Sequence, residues 1–139
     1  MSKVTRFGVS LDSNLFRRFD ALIEGLGYKN RSEAIRDLIR DRLVAQEWES
    51  GTGPAVGVLT LVYDHAVREL TETLNSIQHK HIDLIIASTH IHLDSHNCLE
   101  VIIMKGPADL IKKTADRLII TKSVKHGRLL TTTTGRRID

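Results

Sequence analysis

The stretch "TRFGVSL", Thr5 to Leu11, alternates strictly: Phe7, Val9 and Leu11 fall on one side, Arg6, Gly8 and Ser10 on the other. That pattern predicts a short strand with one apolar face. A lone strand can neither satisfy its own backbone nor bury that face, so it needs a partner. The next segment is helical. Leu15, Phe16, Phe19, Leu22, Ile23 and Leu26 recur at helical spacing, behind Asp12 or Ser13 as a cap and ahead of Gly27 as a stop. A second stripe, Ala34, Ile35, Leu38, Ile39 and Leu43, runs to about Trp48. It starts at Asn30 or Ser32, with Glu33 placed three residues after Asn30 as in a capping box. The only strand available to pair with the first is the same strand of another copy. Two copies would form an antiparallel ribbon over four helices, showing Arg6, Gly8 and Ser10 twice on its outer face.

A two-stranded ribbon fits the major groove of B-DNA. Arg6 could take a guanine edge in two hydrogen bonds, and Ser10 could bond either base type. The start of the second helix, near Asn30 to Ser32, offers free amides and a positive dipole end to a phosphate. Charge alone would miss this. The chain carries a net +3, yet through Glu49 nine Lys and Arg stand against eight Asp and Glu.

"ESGTGPA", Glu49 to Ala55, breaks the pattern with two glycines, a proline and no apolar run. We divide the chain there: 1–50 as one module, 51–54 as a linker, 55–139 as a second module. In the second, "AVGVLTLVY", "IDLIIASTHIHL", "CLEVIIMKG" and "VKHGRLLTTT" read as strands. "HAVRELTETLNSIQHK" and "PADLIKKTADRLIIT" read as helices, the latter with Pro107 in its first turn. The order β-α-β-β-α-β predicts a ferredoxin-like fold. The whole chain is thus α+β: a β-α-α module that pairs with a second copy, then a βαββαβ domain. The end, "TTGRRID", carries no packing signal.

"STHIHLDSHNCLE", Ser88 to Glu100, holds three histidines and the only cysteine. His90 and His92 are two apart on a strand and share a face. After a turn of Asp, Ser, His and Asn, Cys98 falls on that same face one strand over, at about 5 Å. Two imidazoles and a soft thiolate suit zinc, copper or nickel far better than magnesium or calcium. His79 is the candidate fourth ligand, with His81 and His96 as rivals. If 82–92 is one strand, its ten steps span roughly 30 Å, so His79 should not reach its own chain's site; it could reach a partner's if two second modules pack with strands and helix ends adjacent. By themselves Gln78 and Glu100 read as solvated polar residues, although the parity of Glu100 puts it near the metal face, and His65 and His126 read as structural. Imidazole ligands must be neutral and a thiol ligand ionised, so such a site should fail in acid. Glu33 and Asp37, four apart on the second helix, could hold a hard cation or simply form a solvated face balanced by Arg36 and Arg40. Arg68 is a further candidate contact to a DNA backbone.

"RFGVSL" followed by two helices and "GYKNRSEAIRD" resembles the ribbon-helix-helix module of the nickel-responsive transcriptional regulator (NikR) family, and "QHKHIDL", "HIH" and the cysteine at this spacing resemble its metal site. The resemblance runs from about Thr5 to Thr132. It implies an ACT-type regulatory domain and nickel(II), one per subunit, in square-planar ligation by His90, His92 and Cys98 of one subunit and His79 of another. It also implies that Gln78 and Glu100 fix a histidine's orientation, a homotetramer, a dimer of dimers, on palindromic operator DNA, repressing nickel uptake, and a weak cation site at positions matching Glu33 and Asp37. One departure stands out: the family usually carries Thr or Ser where this chain has Gly8, which shifts base readout toward Arg6 and Ser10.

The single cysteine excludes an intrachain disulfide, no apolar run reaches the ~20 residues of a membrane span, and no signal-peptide core is evident. We therefore expect a cytoplasmic protein, no membrane partner, no small organic substrate and no enzymatic activity. Two alternatives remain open at this point. One is a DNA binder that senses another metal or a small molecule. The other is a zinc hydrolase using His90, His92 and Cys98 with an open coordination position.

Overall fold

The computed structural model describes residues 3–139, which divide into two compact units, one running to Leu43 and including Ile138–Asp139, the other Val44–Arg137. The first unit holds α1 (Ser13–Gly25) and the start of α2 (Arg31–Ser50). Asp12 caps α1, its carboxylate accepting from the amides of Asn14 at 2.8 Å and Leu15 at 3.4 Å. Gly27 ends it at φ +84°, a left-handed conformation that favours glycine. Asn30 accepts from the Glu33 amide at 2.9 Å, which settles the start of α2. Arg31 forks onto both oxygens of Asp20 at 2.7 and 2.8 Å and lies over the Phe16 ring at 4.6 Å, joining the two helices.

The strand expected over 5–11 makes no ladder within the chain, and its residues are exposed. The physical reason is the one its length implied: no second strand of this unit exists to pair with it. Phe7 is 67% and Val9 63% exposed, and among the described residues of this unit only Ile23 and Ala34 are buried. A face this apolar and this open marks a surface meant for another chain.

The second unit is an antiparallel four-stranded sheet in the order β2-β3-β1-β4, from β1 (Pro54–Asp64), β2 (Ile85–His92), β3 (Asn97–Pro107) and β4 (Val124–Thr133). The helices α3 (Arg68–Lys80) and α4 (Ala108–Ile119) supply the β-α-β-β-α-β order. Alternation decides the buried face. Ala55, Leu59, Leu61 and Tyr63 of β1 and Cys98, Glu100, Ile102 and Met104 of β3 all point inward. They meet Leu70, Leu74 and Ile77 of α3 and Ala108, Ile111, Ala115 and Leu118 of α4, residues at helical spacing that form one core. Gly57 belongs to the same inward row because α4 passes close: a Cβ there would stand 2.8 Å from Ile111 Cγ2.

One boundary differs from the sequence reading. The strand expected from residue 82 begins at Ile85, because 81–84 form a turn in which Leu84 N donates to the His81 carbonyl at 2.9 Å. Residues 51–54 meet the start of α4, where the Asp109 and Ala108 amides donate to the carbonyls of Gly51 at 3.0 Å and Gly53 at 3.3 Å. Those carbonyls satisfy orphan donors of the helix N-terminus. The last turns of α2 belong to the second unit, with Trp48 Nε1 donating to the Thr132 carbonyl at 2.9 Å.

Candidate metal centre and nucleic-acid interface

The β2–β3 ladder sets His92 opposite Cys98 and His90 opposite Glu100, while β1 brings Tyr63 opposite Cys98. Side chains of facing residues share a side of the sheet, so these groups gather on the inward face near its β2 edge. Cys98 is buried, and its Sγ lies 3.9 Å from His90 Nδ1. Nitrogen and sulfur ligands sit about 2.0 and about 2.3 Å from a zinc-sized ion, so this pair can hold one ion between them without moving apart. The donor set, imidazole and thiol, is the one borderline-soft ions take. The His92 ring leans against that of His65, centroids 4.7 Å apart, and is not drawn to the same point. Among the described residues no three His, Cys, Asp or Glu side chains converge into a metal-holding cluster within one chain.

Behind the pair sits Glu100, fully buried. Its Oε1 accepts from Gln78 Nε2 at 2.7 Å and from Ser88 Oγ at 2.9 Å, and its Oε2 from the Tyr63 hydroxyl at 2.7 Å. The same Oε1 lies 3.4 Å from His90 Nε2. The imidazole is therefore held edge-on, Nε2 toward the carboxylate and Nδ1 toward the thiol. The carboxylate side suits an N–H and the thiol side a lone pair. The Tyr63 hydroxyl also lies 3.2 Å from His90 Nδ1. Burial first, then the Glu100 carboxylate, push this phenol well above its ordinary range, so it stays protonated and donates. Removing that one donor in Tyr63→Phe should lower stability to urea by about 1 kcal/mol.

His79 is exposed and stands next to Gln78, whose side chain is spent on Glu100. One residue further along a helix is a turn of about 100°, so His79 faces away from its own chain's cluster. His96 sits in the connection, donating its amide to Asp94 at 2.8 Å. Arg6, Gly8 and Ser10 are all exposed, and a Cβ at Gly8 would meet nothing within 4 Å. Asp37 accepts from the Tyr28 hydroxyl at 2.7 Å and faces Arg40 at 3.7 Å. Those partners already balance its charge, as a solvated face would. Arg68 lies 3.6 Å from Glu72, its side chain almost wholly exposed.

Tyr63, Ser88 and His65 join the site without having stood out as site residues in the sequence. Two left a signal. Ser88 has the parity of His90 and His92, and Tyr63 ends an inward-facing row, where a buried hydroxyl requires a partner. His65 comes from a loop whose path alternation does not fix.

Comparison with known proteins matches the chain to two family descriptions. Residues 5–46 match the family described as "Ribbon-helix-helix protein, copG family", and residues 56–132 match "NikR C terminal nickel binding domain". A relative from Geobacter sulfurreducens is 56% identical over 135 residues, 97% of each chain. One from Thermococcus onnurineus is 52% identical over 136 residues, 98% of this chain and 99% of its own. One from Pyrococcus furiosus is 52% identical, covering 97% and 98%. All three are described as candidate nickel-responsive regulators. A ribbon-helix-helix module joined to a nickel-binding α+β domain defines a transcription regulator, not an enzyme. The chain belongs to the nickel-responsive transcriptional regulator (NikR) family.

Proposed function

We propose that this chain represses nickel uptake by binding a palindromic operator as a homotetramer, a dimer of dimers, when nickel(II) is bound at one site per subunit. His90, His92 and Cys98 of one subunit and His79 of another are the ligands, with Gln78 and Glu100 orienting His90. The supporting observation is the ladder itself: His92 opposite Cys98, and His90 held between the thiol and a buried carboxylate. The outward turn of His79 supports a ligand shared between chains. Residues 1–50 then read DNA through Arg6 and Ser10, with Gly8 contributing only backbone; 51–54 link them to the domain 55–139, which binds nickel and holds the tetramer. Glu33 and Asp37 are a weaker candidate cation site. The protein acts in the cytoplasm; among the described residues no helix is long and apolar enough to cross a membrane.

Bound nickel supplies a cross-link between chains. The rest is a matter of populations. Two ribbon dimers that sample many orientations seldom suit both half-sites, and restricting the core raises the competent fraction and the apparent DNA affinity by the same factor. Operator DNA must then tighten nickel binding equally. Selection from a random DNA pool with metal-stripped protein tests this. A two-part inverted repeat should be enriched with nickel and not without it. The same repeat in both arms would mean that the switch is something other than nickel.

A further inference from the structure

The five residues between His92 and Cys98, 93–97, form a connection tied down more heavily than its exposure would suggest. Asp94 Oδ1 accepts from the amides of His96 at 2.8 Å and Asn97 at 2.7 Å, while its Oδ2 accepts from Asn97 Nδ2 at 2.8 Å. Those bonds, the backbone amide of Asn97 foremost, hold the Asp94 carboxyl well below the usual carboxylate range. The loop is also gripped from outside. Lys125 of β4 donates its Nζ to Asn97 Oδ1 across the end of β1, and His65 donates its amide to the His96 carbonyl at 3.0 Å. Leu93 N closes the turn on the Asn97 carbonyl at 2.9 Å. None of these groups is a ligand in the proposed nickel site, and none packs in the core.

We infer that Asp94, braced by Asn97 and Lys125, is a positioning residue: it sets the loop so that His92 and Cys98 stand opposite each other before any metal arrives. This rests on Cys98 being a ligand. A loop free to splay must be ordered on binding, and that ordering subtracts from affinity. A loop already closed by a side-chain acceptor has no such cost. The acceptor is what matters, because both backbone amides converge on one oxygen. Asparagine keeps that oxygen; alanine removes it.

The test titrates the metal-stripped full-length protein with nickel alone, in wild type, Asp94→Ala, Asp94→Asn and Cys98→Ala, following the thiolate-to-nickel absorption and the metal-free melting curve. Asp94→Ala should bind nickel about 10–100-fold more weakly, the range seen when partners that orient ligands are lost. It should keep the same absorption band at saturation, and its metal-free melting temperature should fall by several degrees, as the loss of the loop's own hydrogen bonds requires. Asp94→Asn should return to within about threefold of wild type. Wild-type affinity in Asp94→Ala overturns the inference, as does equal weakening in Asp94→Asn or a changed absorption band in Asp94→Ala at saturation, which would mark an altered ligand set. A Cys98→Ala protein that keeps the band and the affinity would instead remove the ligand assignment beneath it.

Discussion

Nickel-dependent DNA binding should disappear in Cys98→Ala, with nickel affinity falling by more than about 100-fold. Losing a group that merely orients a ligand costs tenfold to a hundredfold; losing the ligand must cost more. The thiol is buried, and 3.9 Å separates it from His90 Nδ1, so no water-borne group can readily take its place. The fold should tolerate the change, because alanine leaves only a small gap at the edge of the core. The measurement is a gel-shift on the selected operator across a nickel series, beside a melting curve. A variant that responds to nickel at the wild-type concentration would exclude the thiolate as a ligand. A DNA binder sensing some other molecule would instead shift the operator alike with and without nickel, in wild type and variant.

The second large effect belongs to Glu100. Glu100→Ala strands three donors at once: Tyr63, Gln78 and Ser88. Gln78 is half-buried and Ser88 exposed, so both can turn to water, whereas the buried Tyr63 hydroxyl is left with His90 Nδ1 at 3.2 Å as its remaining acceptor. Hydrogen bonds to a charged group are worth about 1.5–3 kcal/mol, and the space left by the carboxylate adds to their loss, so stability to urea should fall by about 3 kcal/mol. Nickel affinity should drop about 10–100-fold in the same variant, because His90 loses the group that faces its Nε2. A Glu100→Ala protein with an unchanged urea midpoint would mean that the carboxylate is hydrated rather than holding the site together.

Much of this was legible from alternation. Parity set Cys98 and Glu100 on one face, and His90 and His92 on one face; that the two faces coincide required an odd-length loop between the strands, and the ladder pairs them so. Helix caps were legible for the same local reason: Asp12, Asn30 and Gly27 act through their own backbone neighbours. What the sequence hid lies in contacts between distant segments. Nothing in the row Ala55 to Tyr63 says which strand Tyr63 will stand beside, and its two partners come from elsewhere in the chain. The His65–His92 contact depends on a loop, where spacing carries no geometric rule. The turn at 81–84 was hidden because its apolar residues, Ile82 and Leu84, continue the strand's composition without its pairing.

The openness of the first unit has a consequence for the living cell. With two buried side chains, Ile23 and Ala34, and an uncovered Phe7 and Val9, this unit has too little interior to stay folded by itself. Under the proposed pairing its stability grows with the number of copies present. The regulator would then answer to two quantities, the metal and its own abundance. A growing cell that has slowed synthesis of the protein, and so diluted it, would relax control of its target genes at a constant nickel level. Autoregulation of the gene, were it found, would be tuning the DNA-reading module's folding as well as its dose.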